Sequence, residues 1–322
     1  MFDFGTYPTP VELLEPLSTA TTSLWVKRDD LTNPVYGGNK VRKLVRLLDD
    51  AKNRGATKIV TVGAVGSHHV LAAGLFGKLA GMQVEAVILS QPQSNHVLET
   101  VRASIAQGVT LVAAESYAEA ARRVAALAAA GAYLIPAGGS NRVGSLGILD
   151  AAAELVEQVR AGELPEPDLI VVALGSGGTA AGLVAGLSQA RLRTRVLAVT
   201  VTEPQRVFEH KARALLKELL DESLWPSALE RLEIDRRYLG AGYGFATTAS
   251  EHATQQAARV GLTLDTTYTA KAFAAALDRT ALGGERHILF WHTLSSAAMA
   301  PLLRDAPHES ELDYAVRRLA HA

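Results

Sequence analysis

Val171-Val172-Ala173-Leu174-Gly175-Ser176-Gly177-Gly178-Thr179-Ala180-Ala181-Gly182 joins an apolar run directly to a glycine-rich segment. The apolar run reads as a buried strand, and the glycine-rich turn leads into a helix of small residues. Such a turn exposes several backbone N–H groups at a helix N-terminus, where hydrogen bonds and the helix dipole favour a phosphate. Ser176 and Thr179 add hydroxyl donors. Gly175-x-Gly177-x-x-Ala180 also satisfies a loose dinucleotide fingerprint, and Glu203 ends the next predicted strand, where a ribose-binding acid would sit. Taken alone, the stretch leaves open a phosphate cofactor, a nicotinamide dinucleotide, or a tight turn with no ligand.

Working outward, strands and helices alternate. Lys58–Val62 reads as a strand and His68–Ala80 as a helix ended by Gly81. Gln83–Leu89 is a strand, Ser94 caps a helix that stops at Gly108, and Val109–Val112 is a strand. Ser116 caps an alanine-rich helix to Ala130, and Ala132–Ile135 is a fourth strand. Strands separated by helices in this way imply a parallel sheet. A second series has a helix near Ser145–Val159, strand Leu169–Leu174, a helix from Thr179, strand Arg195–Val201 and strand His287–Trp291. The fold class is therefore α/β. Open parallel sheets place ligands at strand C-terminal ends, which is where the glycine-rich turns fall.

Lys40 sits in Gly37-Gly38-Asn39-Lys40-Val41-Arg42-Lys43-Leu44, framed by glycines and an amide at the start of an apolar-periodic segment. A lysine amine becomes a nucleophile when burial or a neighbouring cation lowers its pKa, and Arg42 and Lys43 are near enough in sequence to supply such a field. Gly63-Ala64-Val65-Gly66-Ser67-His68-His69 follows a strand and opens a helix, a second anion-binding turn. Adjacent helical residues do not face one way, so His68 and His69 cannot both point at one site in a regular helix. A metal pair prefers a spacing of four, and no metal is expected. His96, His210, His252, His308 and His321 are scattered and read as surface residues.

Composition narrows the class. The 322 residues suffice for two domains with substantial cores. The net charge of −1 gives no footprint for nucleic acid or an anionic membrane. With no cysteine there is no disulfide, thiol nucleophile, iron–sulfur cluster or cysteine zinc site. Met1–Gly5 lacks the basic start of a signal peptide, and the apolar stretch from Val124 to Gly139 is too short and broken to span a bilayer. A cytoplasmic chain is expected.

The pairing of Lys40 in Gly-Gly-Asn-Lys with Gly175-Ser176-Gly177-Gly178-Thr179 resembles the tryptophan synthase β-like, fold type II pyridoxal phosphate enzymes. Within them the chain is most similar to the D-cysteine desulfhydrase and 1-aminocyclopropane-1-carboxylate deaminase family. Thr9-Pro10-Val11-Glu12, Lys27-Arg28-Asp29-Asp30-Leu31, Pro136–Asn141, Gly144-Ser145-Leu146-Gly147 and Tyr268–Phe273 extend the resemblance over almost the whole chain. It implies two open twisted parallel-sheet domains with pyridoxal 5'-phosphate in the cleft between them. The large domain would comprise residues 1–45 and 145–322, and a small inserted α/β domain residues 46–144. Lys40 would hold the cofactor as a Schiff base and act as base, and Gly175, Ser176, Gly177, Gly178 and Thr179 would cradle its phosphate. Ser67 would help bind the carboxylate of a small amino-acid substrate, with His68 and His69 beside it. Tyr268 and Tyr243 would lie near the substrate, as phenols able to hold carboxylate or, at a lowered pKa, pass a proton. A homodimer is expected.

Three departures from the family pattern stand out. Relatives usually carry Ser-Asn where this chain has Ser67-His68, so His68 is expected to take over the contact with the cofactor's phenolic oxygen. Thr269 follows Tyr268, as in the desulfhydrases, where the cyclopropane deaminases carry glutamate. His-Thr-Gly-Gly becomes His292-Thr293-Leu294-Ser295, with Thr293 implied at the pyridine nitrogen, Ser295 in reserve, and helix capping as the plainer role for Ser295 and Ser296. A hydroxyl cannot strongly favour a pyridinium, which suits β-elimination from an amino acid with a good leaving group. Ring opening, β-replacement, racemisation, nicotinamide oxidoreduction and non-catalytic cofactor binding are the alternatives.

Overall fold

The computed structural model describes residues 2–321. The chain opens with strands β1 (Val11–Leu13) and β2 (Ser23–Lys27) and helix α1 (Asn39–Asn53). An alternating run follows: β3 (Lys58–Ala64), α2 (His68–Leu79), β4 (Gln83–Leu89), α3 (Asn95–Ala106), β5 (Val109–Ala113), α4 (Tyr117–Ala129) and β6 (Tyr133–Ile135). The third stretch holds α5 (Arg142–Arg160), β7 (Leu169–Leu174), α6 (Gly178–Gln189), β8 (Arg195–Thr200), α7 (Gln205–Leu219), α8 (Trp225–Arg231) and β9 (Leu232–Asp235). It ends with α9 (Thr248–Arg259), α10 (Thr269–Leu282), β10 (His287–Trp291) and α11 (Tyr314–Ala320). The α/β class and the parallel sheets stand as expected, with boundaries within a few residues of the sequence reading.

The chain divides into two compact units. One holds residues 5–43 and 141–297 and a six-stranded sheet in the order β1-β2-β10-β7-β8-β9, parallel except for β1. Its central strand β7 alternates strictly. Ile170, Val172 and Leu174 enter a core with α5, α6 and α7, while Leu169 and Val171 enter a second core with α9 and α10. Such burial on both faces explains why the strand reads as a continuous apolar run. Helix α6 is buried from Gly178 to Ser188, and its small residues are what admit α5. A Cβ on Gly182 would lie 2.6 Å from Ile148 Cβ, and one on Gly186 2.5 Å from Ala152 Cβ.

The other unit holds residues 2–4, 44–140 and 298–321, around an all-parallel sheet in the order β5-β4-β3-β6. The unit boundaries differ from the expected domains at the C-terminus. Residues 298–321 join this sheet's unit, because α11 packs on β5 and α3, and Arg102 donates to the Pro307 carbonyl. Leu302, Val316 and Leu319 are buried there. A short helix rich in arginine carries no sequence mark of the surface that receives it.

Candidate active site

The glycine pair ahead of Lys40 has a steric cause. Gly38 adopts φ +93°, and a Cβ there would meet the Thr293 carbonyl at 2.7 Å. The backbone can therefore cross the end of β10, where the Asn39 N–H donates to the Thr293 carbonyl (3.2 Å) and Ser295 Oγ accepts from the Gly37 N–H (2.9 Å). Ser295 thus fixes the turn before Lys40 and caps no helix. Thr293 is brought to the Lys40 turn through its backbone.

Asn39 joins the two sequence elements that pointed to a cofactor. Its Oδ1 accepts from Lys40 Nζ (2.9 Å) and its Nδ2 donates to Thr179 Oγ1 (2.9 Å). Because Thr179 accepts that bond, its hydroxyl proton is available to a phosphate. Burial pushes the half-buried Lys40 amine down from 10.5 to about 8, against the opposing field of Asp265. The expectation that Arg42 and Lys43 would supply that shift needs correction. Arg42 is neutralised by Asp29 and Glu154 (2.7 and 3.0 Å), and the repulsion between the two lysines falls on Lys43. Buried and facing Lys40 and Lys211, Lys43 is held well below its ordinary range.

The Gly175–Thr179 turn is built for close approach. Gly177 caps α6 in the left-handed region at φ +94°, and a Cβ on it would sit 3.1 Å from Ala212 of α7. A Cβ on Gly175 would sit 3.3 Å from the Tyr268 ring. Helix α7 also brings Lys211, whose pKa burial lowers. Lys43 feels both Lys40 and Lys211, and a dianionic phosphate bound beside these amines would relieve the repulsion on it. Thr200, paired with Leu174 in the sheet register, buries a hydroxyl with no hydrogen-bond partner among the described residues. Lys43, Lys211 and Asn39 were missed as site residues by sequence reasoning. Asn39 stood in the quoted motif, whereas a lysine's default environment is the surface.

Tyr268 touches Gly175 and pairs with Tyr243: the hydroxyls are 2.5 Å apart and the rings meet edge to face at 5.6 Å. A lowered phenol pKa does not hold for Tyr268, because burial, Tyr243 and Asp265 push it well above 10.0. The phenol is a neutral hydrogen-bond donor. Thr269 is buried with its hydroxyl on Asp265 Oδ2 (2.7 Å), and the same carboxylate accepts from the Tyr268 and Thr269 N–H groups at the start of α10. Glu203 follows β8 as the dinucleotide reading required, yet its carboxylate packs on Gly242, 2.9 Å from where a Cβ would stand.

Ser67, His68 and His69 belong to the other unit. Ser67 caps α2 with its Oγ accepting from the His69 N–H (3.2 Å). His69 is buried with Nε2 on Thr61 Oγ1 (2.8 Å), a structural role. His68 Nε2 lies 3.1 Å from His96 Nε2, so His96 is no scattered surface residue as expected. Two facing nitrogens share one proton favourably, which ties the tautomer of His68 to that of His96. His210, His252, His308 and His321 are exposed. Among the described residues no three His, Asp or Glu side chains form a metal-binding group, and no helix is long and apolar enough to cross a membrane.

Comparison with known proteins gives the same constellation a family. Residues 3–293 match the family described as "Pyridoxal-phosphate dependent enzyme". A Pyrococcus furiosus protein named "Putative 1-aminocyclopropane-1-carboxylate deaminase" is 36% identical over 298 residues, covering 89% of each chain. A Salmonella typhi "D-cysteine desulfhydrase" is 31% identical over 309 residues, covering 91% of this chain and 93% of its own. A crystal structure of an "ACC deaminase homologue" superposes with a TM-score of 0.76 at 30% identity, covering 94% of this chain and 95% of that one. With the family model matching residues 3–293 and relatives of 36% and 31% identity covering about nine-tenths of it, the chain belongs to the pyridoxal-phosphate dependent enzymes of fold type II.

Proposed function

We propose that the protein eliminates a β-substituent from a small amino acid, D-cysteine being the leading substrate. The observation that carries this reading is the single constellation Lys40–Asn39–Thr179 and Gly175–Tyr268–Tyr243, in which a depressed amine, a glycine-rich helix N-terminus and a hydrogen-bonded pair of phenols are held together. Bound pyridoxal phosphate supplies the electron sink for a negative charge at the substrate's α-carbon. Lys40 would hold the cofactor aldehyde, and Gly175–Thr179 with Lys43 and Lys211 would hold its phosphate. Thr293 is proposed at the ring nitrogen and His68, its tautomer set by His96, at the phenolic oxygen.

Lys40, released when substrate arrives, is proposed to take the α-proton; at a pKa of about 8 a substantial fraction is the neutral base near pH 7.5. Ser67 is proposed to receive the substrate carboxylate. Tyr268, whose phenol is pushed well above 10.0 by burial, Tyr243 and Asp265, is proposed as a proton donor toward a leaving thiolate and not as a phenolate base. Water completes the balance: D-cysteine and water give pyruvate, hydrogen sulfide and ammonia. Thr269 disfavours cyclopropane ring opening, since it places a hydroxyl given to Asp265 where those deaminases carry a carboxylate. A cytoplasmic homodimer completes the proposal on the family resemblance, and sedimentation velocity tests the assembly.

The test is an absorbance spectrum of the cofactor-loaded protein before and after D-cysteine, L-cysteine and 1-aminocyclopropane-1-carboxylate, with 2-oxo acid assayed in the same cuvette. A shifted long-wavelength band with pyruvate from D-cysteine supports the reading. 2-Oxobutanoate from the cyclopropane alone replaces elimination with ring opening. A band that shifts without any 2-oxo acid moves the reaction to replacement or racemisation.

A further inference from the structure

We propose that Lys271 is a positioning residue that pins the Gly240–Gly244 loop and so holds the Tyr243 hydroxyl on Tyr268. Lys271 lies in α10 and is fully buried. Its ammonium donates to the Leu239 carbonyl (2.7 Å) and the Gly242 carbonyl (3.1 Å). The first acceptor immediately precedes, and the second lies in the middle of, a loop whose glycines at 240, 242 and 244 adopt φ of +67°, +138° and +84°. Glycine in that region imposes no steric preference of its own, and the loop lies outside the helices and strands that would otherwise pair its backbone. Lys271 therefore supplies from a rigid helix the hydrogen bonds that the loop lacks.

The placement on α10 gives the lysine its consequence. Tyr268 and Lys271 stand three apart at the start of the helix, a spacing that puts them on one face. One meets the loop's phenol at 2.5 Å and the other meets the loop's backbone. Asp265 and Glu203 are the charged groups acting on Lys271, and both favour its ammonium, while burial lowers it to about 8. The neutral and charged amine alike carry the two N–H groups that the two carbonyls need. The loop is thus held on both sides of that pKa.

Tyr243 enters the proposed function only as well as this loop presents it, so the catalytic consequence rests on that reading, whereas the pinning itself does not. The experiment is hydrogen exchange of the cofactor-loaded protein without substrate, on wild type, Lys271→Met and Lys271→Gln. Amides 241–245 are expected to exchange about tenfold faster in Lys271→Met, with β7, β8 and α6 unchanged and the cofactor band retained. Lys271→Gln, which keeps an N–H₂ donor, is expected to fall between. Unchanged loop exchange in either folded variant overturns the proposal, and if Lys271→Met fails to fold, Lys271→Gln alone decides. Where wild type turns over an amino acid, Tyr243→Phe and the double variant with Lys271→Met are expected to show similar kcat, and independent losses would leave the lysine only structural. A wild type inactive on every amino acid sinks the functional reading and leaves exchange to judge the loop.

Discussion

At the scale of single residues, the chemistry turns on an amide that ties a lysine to a threonine. Lys40 was legible because its glycine frame is dictated by the approach of Gly38 to Thr293, and such frames leave a mark in sequence. The Thr179 that Asn39 reaches is 140 positions from that amide, and a contact that long has no local signature. Two expectations follow from the geometry. Freed of cofactor, Lys40 should react with pyridoxal phosphate at a rate that climbs with pH and levels off above about 8, the neutral amine being the nucleophile. Stopped-flow absorbance across pH 6–10 checks this, and a rate still climbing steeply at pH 10 would mean an amine near its ordinary 10.5. Asn39→Ala should weaken cofactor binding roughly tenfold, the cost of about one buried hydrogen bond, as read by equilibrium dialysis. Lys43 and Lys211 stayed hidden for a different reason: only the assembled fold reveals that a charged side chain is buried among others of its sign.

At the scale of elements, period and punctuation carried most of the reading. Capping serines at 94 and 116 begin helices where the sequence placed them, and Ser67 caps α2 as well. The Gly175–Thr179 turn was legible as a turn, while its need for glycine at 177 is tertiary, set by Ala212 of α7. Gly177→Ala should lower stability by about 1–2 kcal/mol through the left-handed backbone alone, with a further cost from crowding α7. Urea unfolding measures the first effect and cofactor titration the shifted turn. A loss no larger than the backbone cost would show that α7 yields, and equal stability would refute the backbone cost itself. The His68–His96 pair was illegible because α2 and α3 meet only in the folded unit, whereas their separate histidines carried no shared period.

At the scale of the whole molecule, five segments of the larger unit meet in one buried ionic cluster. Asp29 accepts from Arg42 and from Trp291 Nε1 (2.7 Å each), and Glu154 accepts from Arg42 (3.0 Å), Lys27 (2.5 Å) and the Thr9 N–H (2.8 Å). The sequence exposed Lys27-Arg28-Asp29 as a resemblance, but nothing local said that Glu154 in α5 would close the cluster. Burial alone would raise the Glu154 carboxyl; Arg42 and Lys27 outweigh it and hold it down at about 2. Lys27 is itself pushed below its ordinary range by burial more than Glu154 favours it, so the net gain lies with Arg42, which cannot shed its proton. Since the folded carboxyl titrates below the unfolded one, its contribution is complete above the ordinary 4.5 and disappears as pH falls toward 2. That span corresponds to at most about 3 kcal/mol. Glu154→Gln should cost a similar amount at pH 7, because it leaves two cations facing Asp29 alone. Its stability should then fall less steeply than that of wild type between pH 4.5 and 2, as denaturant midpoints at each pH would show. Parallel curves would place the acid sensitivity of this fold elsewhere.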